Sequence, residues 1–449
     1  MVKIGLLCFF NAFMREAGLG PAIQKMHEQL TQILLSKGAE VVSTNVFIET
    51  YDEAIRQAHY LRNEDIDCLI LEVGTWVDSN LVVAAAQSLK LPMLLWVNAI
   101  KKTEGLVGGA VAHGSLDEVK IRHKYIYGNL DEEDIVKNIW NFAVAACAVK
   151  SLRNQKYGLF GGRSLEMYTA HIDPSQWRSL FAVEVEHIDE YAVILEAENI
   201  PKKLVDQFIE YLKKNFGKVN ASQELLEKNT RVYLALKRII KKHDLDFIGV
   251  KCHPELSSNY ATYCIAYTFL TNLYNEEGDQ EPFVVACEAD SNAALTMQIL
   301  KLISNQPVLL GDFRYAKDGM IILANCGAAP LYFAKSKDDV WWYGGGLSGR
   351  AMCDEFVCRP GKVTVARLVR IDGKYKMIIL RGECVEMPRE KMRETVGHSH
   401  WPHAFIKTNA DLKGFVQEAR TNHLLMTYGD FLEVLVQVCQ ILGIDFVHF

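Results

Sequence analysis

Short apolar runs alternate with amphipathic stretches through the first third of the chain, and this alternation limits the possible folds more than any other feature of the sequence. The predicted strands are residues 2–9, 40–46, 66–73 and 91–97, and the predicted helices are residues 22–36, 51–63 and 79–89. Strands that alternate with helices form a parallel sheet covered on both faces. The first domain is therefore expected to be of the α/β class.

Three segments follow the carboxyl ends of these strands, residues 11–20, 74–79 and 98–115. Ligands of open parallel sheets bind at this edge. We therefore expect all three segments to be loops that carry functional groups. The glycines of the third segment lack the GxGxxG order, which argues against dinucleotide binding.

A second α/β pattern begins at Lys156. Its predicted strands are residues 157–160, 183–188, 247–250 and 283–286, and its predicted helices are residues 174–181, 202–216, 223–243 and 292–303. Asp173 is expected to cap the first of these helices, because Pro174 suits the first helical position. The pattern predicts a second parallel sheet.

Two strands of this second sheet lead into carboxylates. Glu255 follows residues 247–250, and Asp290 follows residues 283–286, one strand–helix–strand unit later. Paired carboxylates at one sheet edge either share a proton or hold a divalent cation. The alternative is structural, because Glu255 suits a first helical turn and Asp290 suits an N-cap. Glu288, beside Asp290, favours the metal interpretation.

Four of the thirteen histidines crowd toward the end of the chain: His398, His400, His403 and His423. One histidine with two carboxylates would suit manganese, iron or cobalt better than a structural zinc ion. The pattern of residues does not choose among the four.

The last third has a different character. Residues 363–371 and 375–383 alternate in polarity around Asp372-Gly373-Lys374, which predicts a β-hairpin. An apolar helix is expected at residues 429–442. This part of the chain is therefore expected to be largely antiparallel β-structure.

Composition excludes several classes of protein. The 49 Lys and Arg residues against 55 Asp and Glu residues give a net charge of −6 without a basic block, so nucleic acid is not an expected partner. No apolar run reaches the roughly 18 residues that span a bilayer, so no membrane association is expected. Eleven scattered cysteines without a CxxC pair favour a reducing cytoplasm.

Six groups of residues resemble motifs of the L-fucose isomerase family and its relatives among arabinose isomerases. They are Lys251-Cys252-His253-Pro254-Glu255-Leu256; Cys287-Glu288-Ala289-Asp290 followed by Ala294-Leu295-Thr296-Met297-Gln298-Ile299-Leu300; Gly162-Arg163-Ser164 with Met167-Tyr168-Thr169-Ala170; Gly361-Lys362-Val363-Thr364-Val365-Ala366-Arg367; His400-Trp401-Pro402-His403-Ala404-Phe405; and Asn422-His423. Residues 1–155 correspond less well, chiefly at Thr75-Trp76 and Gly114-Ser115-Leu116.

The resemblance implies a fold of three domains. Residues 1–155 and 156–305 would form two Rossmann-like parallel-sheet α/β domains, the second carrying the metal-binding carboxylates. Residues 306–449 would form a β-rich domain that contains a β-barrel and ends in a helix.

The resemblance also implies a manganese ion held by Glu255, Asp290 and His423, for which cobalt or magnesium could substitute. Glu255 and Asp290 would act as base and acid, moving a proton between C1 and C2 of an open-chain sugar through a cis-enediol. The implied activity is that of an aldose–ketose isomerase.

The substrate-binding residues that follow from the resemblance and from aromatic or polar character are Arg15, Trp76, Ser115, Tyr343, Trp401, His403 and Asn422. In the resembled family the first domain of one subunit closes its neighbour's site, which implies a homo-oligomer, a hexamer built from trimers.

The sugar is left open by the sequence. L-fucose, arabinose and acidic sugars such as sulfonated hexoses all fit, and an epimerase could use the same enediolate. A non-catalytic sugar-binding protein on the same fold would be expected to have lost ligands, whereas Glu255, Asp290 and His423 are all intact.

Overall fold

The computed structural model describes residues 1–44, 46–396 and 400–449, so His398 lies outside the described residues. The chain divides into two compact units. The first unit consists of Met1–Lys150 together with Glu433–Ile441, and the second consists of Ser151–Leu432 together with Leu442–Phe449.

Five parallel strands form the sheet of the first unit, in the order β2-β1-β3-β4-β5. Their bounds are β1 Lys3–Phe9, β2 Glu40–Ser43, β3 Cys68–Val73, β4 Met93–Val97 and β5 Lys124–Tyr127. The accompanying helices are α1 Ala12–Glu16, α2 Gly20–Ser36, α3 Tyr51–Arg62, α4 Ser79–Leu89, α5 Gly105–Glu118 and α6 Glu133–Leu152. The predicted parallel α/β class of this part of the chain is confirmed.

Both faces of this sheet are buried in apolar cores. Phe9, Leu71 and Val97 belong to the core on one face, whereas Cys8, Ile70 and Trp96 belong to the core on the other. The alternation follows from the two-residue period of a strand, and burial on both faces explains why these strands read as continuous apolar runs.

The structure corrects two of the expected loops. Residues 98–115 are not a loop throughout, because α5 begins at Gly105, and residues 11–20 contain the short helix α1. The glycines of α5 allow a close approach to the sheet: a Cβ atom at Gly108 would lie 2.7 Å from the carbonyl oxygen of Thr75, and one at Gly109 would lie 2.4 Å from Val97. Packing against the sheet therefore overrides the low helix propensity of glycine.

The second unit holds the remaining strands. Their bounds are β6 Lys156–Phe160, β7 Glu184–Ile188, β8 Lys218–Asn220, β9 Phe247–Val250, β10 Tyr274–Asn275, β11 Gly278–Asp279, β12 Val284–Cys287, β13 Leu309–Lys317, β14 Met320–Ala324, β15 Trp341–Gly345, β16 Ala351–Glu355, β17 Gly361–Ile371, β18 Lys374–Cys384, β19 His403–Lys407, β20 His423–Tyr428 and β21 Asp445–His448.

The helices that follow α6 are α7 Pro174–Leu180, α8 Glu190–Glu198, α9 Lys202–Asn215, α10 Gln223–His243, α11 Glu255–Asn259, α12 Cys264–Leu270, α13 Ser291–Ser304, α14 Arg389–Val396, α15 Leu412–Ala419 and α16 Leu432–Leu442. Short 3₁₀ turns lie at Tyr168–Ala170, Leu331–Phe333 and Lys337–Asp339. Asp173 caps α7 as predicted, since its side chain accepts hydrogen bonds from the amides of Ser175 and Gln176.

Two main sheets organise the second unit. A four-stranded parallel sheet has the order β12-β9-β6-β7, which confirms the second predicted parallel sheet. A seven-stranded sheet has the order β17-β20-β13-β14-β19-β18-β21, and β17 also pairs with β18. All of its pairings are antiparallel except that between β18 and β21.

The predicted hairpin around Asp372-Gly373-Lys374 is confirmed by β17 and β18, which pair over eleven residues each. Asp372 and Gly373 have φ angles of 49° and 76°, the left-handed values that a tight hairpin turn requires.

The helix α16, near residue 440, packs in the first unit, most of which is formed by residues 1–150. Its residues Glu433–Ile441 belong to the first unit, where Ile441 packs against the core formed by residues of α2 and α6. The carbonyl oxygen of Ile441 accepts a hydrogen bond of 3.4 Å from Arg122. Among the described residues, no helix is both long and apolar enough to cross a bilayer.

Candidate active site

Asp290 lies where β12 turns into α13, at the carboxyl edge of the four-stranded sheet. Its side chain caps α13 by accepting a hydrogen bond of 3.0 Å from the amide of Ala293. The same carboxylate accepts a hydrogen bond of 3.0 Å from Nη2 of Arg367, and its other oxygen lies 2.9 Å from Nη1 as an ion pair. Both side chains are buried, and among the described residues Nε and Nη1 of Arg367 have no hydrogen-bond partner, so the arginine depends on the charge of Asp290.

His423 is the first residue of β20 and the second partner of Asp290. Its Nδ1 lies 2.8 Å from Oδ2 of Asp290, and the ring is 2% exposed. Its other ring nitrogen, Nε2, lies 3.0 Å from Nδ2, the side-chain amide nitrogen of Asn422. Three residues of the predicted site, Asp290, Asn422 and His423, are thus in direct contact.

Two further carboxylates face Nε2 of His423. Oε2 of Glu288 lies 3.3 Å from this nitrogen, and Oδ1 of Asp312, on β13, lies 3.6 Å from it. Glu288 and its neighbour Ala289 have φ angles of 56° and 49°, which residues other than glycine rarely adopt. Strained backbone of this kind is found preferentially at functional sites.

The charges of this cluster shift the pKa values of its members. Burial opposes ionisation of Asp290, yet the Arg367 charge and the hydrogen bond from His423 hold its pKa well below the usual range. Burial likewise opposes charging of His423, but its bonds to Asp290 and Glu288 raise its pKa to about 10. Burial raises the pKa of Asp312, and His423 offsets part of that effect.

The donor atoms suit a divalent cation. Carboxylate oxygens with one imidazole nitrogen are the ligands that manganese accepts. Ligand atoms of one cation lie about 3 to 3.5 Å apart when each bond is about 2.1 Å, and the distances from Nε2 to Glu288 and Asp312 are close to this range. The donor types around Nε2 of His423 therefore suit a divalent cation.

Glu255 occupies a different part of the same sheet edge. It is the first residue of α11, its side chain is 55% exposed, and it accepts a hydrogen bond of 2.9 Å from Lys251. This bond lowers the pKa of Glu255. The structure therefore pairs Glu255 with Lys251 and pairs Asp290 with Arg367 and His423.

Glu190 is a candidate that the sequence analysis missed. It begins α8, directly after β7, at the same carboxyl edge of the sheet as Lys251 and Glu255. Burial raises the pKa of Glu190 to about 7. The charge of Lys251 lowers this pKa, and the negative charge of Glu255 raises it further. A carboxyl group with this pKa can gain or lose a proton at neutral pH.

A cavity in the second unit is lined by thiols and by His253. Its lining includes Cys252, His253, Cys287, Asn325 and Cys326. Hydrogen bonds from Cys287 and His253 lower the pKa of Cys326 to about 6 although burial opposes ionisation. Cys287 ends β12, so this cavity begins next to the segment that carries Glu288 and Asp290.

The aromatic residues predicted to line a sugar pocket have different surroundings. Trp401 lies under the guanidinium of Arg314, which is 4.5 Å from the ring centroid and 3.1 Å from Asp312. Trp401 is thus linked to the site through Arg314. The ring centroid of Tyr343, on β15, lies 3.9 Å from that of His400. His403 is buried, and its Nδ1 lies 2.8 Å from the carbonyl oxygen of Trp401.

The other three predicted substrate-binding residues belong to the first unit. Arg15, on α1, forms an ion pair with Glu49 and lies over the ring of Phe10. Trp76 follows β3 and is 37% exposed, and Ser115 lies on α5 rather than in a loop.

Arg367 and Asp312 were also missed as site residues. Both lie on strands of the seven-stranded sheet and are far from Asp290 in sequence. The local sequence signal for Arg367 is its place within the apolar run of β17, because a charge buried there requires a buried partner.

Comparison with known proteins identifies the class to which this fold and site belong. A family model described as "L-fucose isomerase, first N-terminal domain" matches residues 11–154, and one described as "L-fucose isomerase, C-terminal domain" matches residues 349–449. The chain therefore belongs to the L-fucose isomerase family, whose members are aldose–ketose isomerases.

Three similar curated proteins all carry the name sulfoquinovose isomerase. The protein from Alkalicoccus urumqiensis is 21% identical over 342 residues, which cover 74% of this chain and 75% of that protein. The protein from Priestia aryabhattai is 19% identical over 418 residues, 90% of each chain. The protein from Clostridium sp. (strain MSTE9) is 23% identical over 344 residues, 72% of this chain and 71% of that protein.

Proposed function

We propose that the protein converts a sulfonated aldohexose of the sulfoquinovose type into the corresponding ketose. The observation that carries the proposal is the buried cluster of Asp290, Arg367 and His423 with Glu288 at Nε2, in a chain whose relatives are named sulfoquinovose isomerases. The guanidinium of Arg314, beside Asp312 and Trp401, supports an anionic substrate because it offers a positive charge next to this cluster.

The proposed reaction moves one proton between C1 and C2 of the open-chain sugar. Glu255 and Asp290 act as the base and the acid of this transfer, through a cis-enediol. Arg367 and Lys251 keep the carboxylates of Asp290 and Glu255 ionised, so the carboxylate that removes the proton from one carbon becomes the acid that delivers it to the other. Glu190, with its pKa of about 7, is a further proton carrier beside Glu255.

A divalent cation, when bound, supplies a Lewis acid that stabilises the negative charge developing on the sugar oxygens. We propose manganese, with cobalt or magnesium as weaker substitutes, and Glu255, Asp290 and His423 as its ligands. The contacts of Nε2 add Glu288 and Asp312 to the candidates for the same ion. Metal content of Glu255→Ala and Glu288→Ala separates the two sets, since only the true ligand's variant loses metal.

The remaining site residues are proposed to bind the sugar. Trp401, Tyr343 and His403 would offer aromatic faces to its C–H edges, and Asn422 would offer its side-chain amide to the sugar. From the first unit, Arg15, Trp76 and Ser115 are proposed to act on a neighbouring subunit's substrate in a hexamer. We also propose that the pairing of β17 with β18 closes six strands of the seven-stranded sheet into a barrel, and that the protein is cytoplasmic.

A substrate panel in deuterated water tests the function. Purified protein with manganese is incubated with sulfoquinovose, L-fucose, D-arabinose and L-arabinose, and products are identified by NMR. We expect a ketose from sulfoquinovose, with deuterium exchange confined to C1 and C2. A ketose from a neutral sugar alone would overturn the substrate, and an aldose epimer or unchanged sugars would overturn isomerisation itself.

A further inference from the structure

A cysteine, a histidine and a glutamate meet inside the first unit, away from the residues discussed above. Cys8 on β1 and Glu72 on β3 are register partners, so their side chains point to the same face of the parallel sheet. His27 lies on α2, and it is buried on the same face, in contact with Glu72.

The three side chains are closely spaced and hidden from solvent. Nδ1 of His27 lies 2.8 Å from Oε2 of Glu72, and one possible ligand atom from each of the three residues lies within 4.8 Å of the other two. Cys8 and His27 are 2% exposed, and Glu72 is fully buried. A tetrahedral zinc ion places its ligand atoms about 3.3 to 3.7 Å apart, so small side-chain rotations suffice to surround one.

One atom of this cluster lacks a partner. Among the described residues, Oε1 of Glu72 is buried and accepts no hydrogen bond. A buried carboxylate oxygen without a partner is costly, and an ion is one of the few groups that satisfy it. The free oxygen therefore points to a bound cation.

We propose that Cys8, His27 and Glu72 bind a structural zinc ion in the first unit, with both oxygens of Glu72 completing the four donor atoms. A thiolate, a carboxylate and a neutral imidazole together carry two negative charges, which balance Zn²⁺ in a site without solvent. The sulfur ligand distinguishes this site from the oxygen-rich cluster at His423, because thiolates favour zinc over manganese or magnesium.

Ser43 provides a hydrogen-bond partner for the ring nitrogen of His27 that does not face the proposed zinc ion. Its hydroxyl lies 3.1 Å from Nε2 of His27, so a hydrogen bond there leaves Nδ1 directed toward Glu72. Groups that fix a ligating imidazole in this way raise metal affinity about 10- to 100-fold. Ser43→Ala is therefore expected to weaken zinc binding without abolishing it.

The position of the site gives the zinc ion a structural task. Cys8 is followed by Phe9 at the end of β1, and Glu72 is followed by Val73 at the end of β3. The segments beyond these strands carry Arg15 and Trp76. A zinc ion would tie the ends of the two strands to α2, and the proposal does not depend on which sugar the protein uses.

Metal analysis of the purified protein tests the proposal directly. Protein from zinc-supplemented cells is dialysed and analysed by mass spectrometry for zinc, in the background of His423→Ala so that the other centre is disabled. We expect about one zinc ion per chain, lost in Cys8→Ser and in His27→Gln. Cys68→Ser is the matched control, because Cys68 is buried on the same face of the sheet and, among the described residues, belongs to no group that could hold a metal ion.

Cobalt spectroscopy gives a readout that does not depend on the variants folding. In the wild-type protein refolded with Co²⁺, we expect a thiolate-to-cobalt charge-transfer band and tetrahedral d–d bands, which the oxygen-rich cluster at His423 would not produce. Absence of both bands together with less than about 0.1 zinc per chain would overturn the proposal. Equal zinc in Cys8→Ser and Cys68→Ser would overturn it as well.

Discussion

Asp290 performs three tasks with one carboxylate. It caps α13, it neutralises Arg367 and it accepts a hydrogen bond from His423. A change at this residue therefore disturbs the fold as well as the proposed chemistry. Glu255, which is largely exposed and paired with Lys251, allows the two effects to be separated.

Two carboxyl-to-amide variants are expected to differ in stability rather than in activity. Glu255→Gln and Asp290→Asn should each reduce kcat about 10²- to 10⁴-fold, the usual contribution of a positioned acid or base. Asp290→Asn should also lower the free energy of unfolding by about 3 to 5 kcal/mol, because Arg367 is left buried without its partner. Glu255→Gln should change it by less than about 0.5 kcal/mol.

Kinetics and urea unfolding of both variants provide the measurement. A Glu255→Gln enzyme within a few-fold of wild type while retaining its metal would remove Glu255 from the proton transfer. Unchanged stability of Asp290→Asn would show that the pair with Arg367 contributes little.

Binding of a cation at His423 must displace a proton. The pKa of His423 is raised to about 10 in the metal-free protein, so the ring is protonated at neutral pH. We therefore expect apparent manganese affinity to rise about tenfold per pH unit between pH 7 and 9. Titration calorimetry in buffers of different ionisation enthalpy should detect about one released proton, and a pH-independent affinity would contradict this expectation.

Chelator treatment of the enzyme provides the simpler version of the same test. We expect activity to disappear on metal removal and to return with manganese, and less completely with cobalt or magnesium. Full turnover of the metal-free protein would exclude a catalytic metal.

The sequence could nominate some residues of the site but not their contacts. Asp290 was named from its place after a predicted strand and His423 from the family resemblance, and the structure brings them together. Glu288 was noted beside Asp290, whereas Arg367 and Asp312 join the cluster through pairings between distant strands, for which a single sequence contains no register. The pair of Glu255 with Lys251 is local, four residues apart, and was not predicted.

At the scale of elements, the glycines of α5 differ in whether they allow the helix to pack closely against the sheet. Gly109 faces Val97 on β4, whereas Gly114 on the same helix has open space around it. Gly109→Ala should therefore lower the free energy of unfolding by about 1 to 3 kcal/mol through overpacking. Gly114→Ala should raise it by up to about 1 kcal/mol through helix propensity.

Urea unfolding of these two variants compares them in one helix. A loss of stability at both positions would mean that the glycines matter for a reason other than packing against the sheet. Equal small gains at both positions would mean that α5 shifts away from Val97 without cost.

Helices and strands with a clear spacing of apolar residues were predicted correctly, whereas elements with glycines or short lengths were not. The bounds of α4, α10 and β9 agree with the sequence prediction, because their apolar spacing and end signals are clear. The helix α5 was missed because its glycines resemble a loop. The short helices α8, α12, α14 and α15 were missed because helices of this length have weak local signals, and α11 was anticipated only in the alternative that places Glu255 in a first helical turn.

At the scale of the whole molecule, one buried carboxyl group links stability to pH. Burial raises the pKa of Asp354 to about 8, although hydrogen bonds from Thr268 and Ala329 oppose the shift. Between pH 3.8 and about 8 the folded protein holds one proton that the unfolded chain has lost, so this group lowers stability as pH rises through that window.

Asp354→Asn is expected to remove this dependence. The amide stays neutral at every pH, so the variant's advantage in denaturation midpoint should be smallest near pH 4, grow toward pH 8 and then level off. Midpoints measured across this range check the prediction. Parallel curves for variant and wild type would show that Asp354 is ionised in the folded protein.

Assembly gives a second test at this scale. The family resemblance predicts an oligomer in which Arg15 serves a neighbouring subunit. Mixing Arg15→Ala chains with Asp290→Asn chains should then restore part of the activity, because some sites combine an intact Arg15 with an intact Asp290. A fully active monomer by light scattering, or hybrids no better than either variant alone, would contradict the prediction.

The order of synthesis has a consequence for the first unit. Because Glu433–Ile441 of α16 completes this unit, the ribosome must make residues 151–432 before the last piece of the first unit exists. Until then, the core surface that Ile441 covers is exposed on the nascent chain, where chaperones can bind it. The unit that contains Met1–Lys150 is therefore completed only after residues 151–432 have been made, and a stop codon just before α16 would leave its core incomplete.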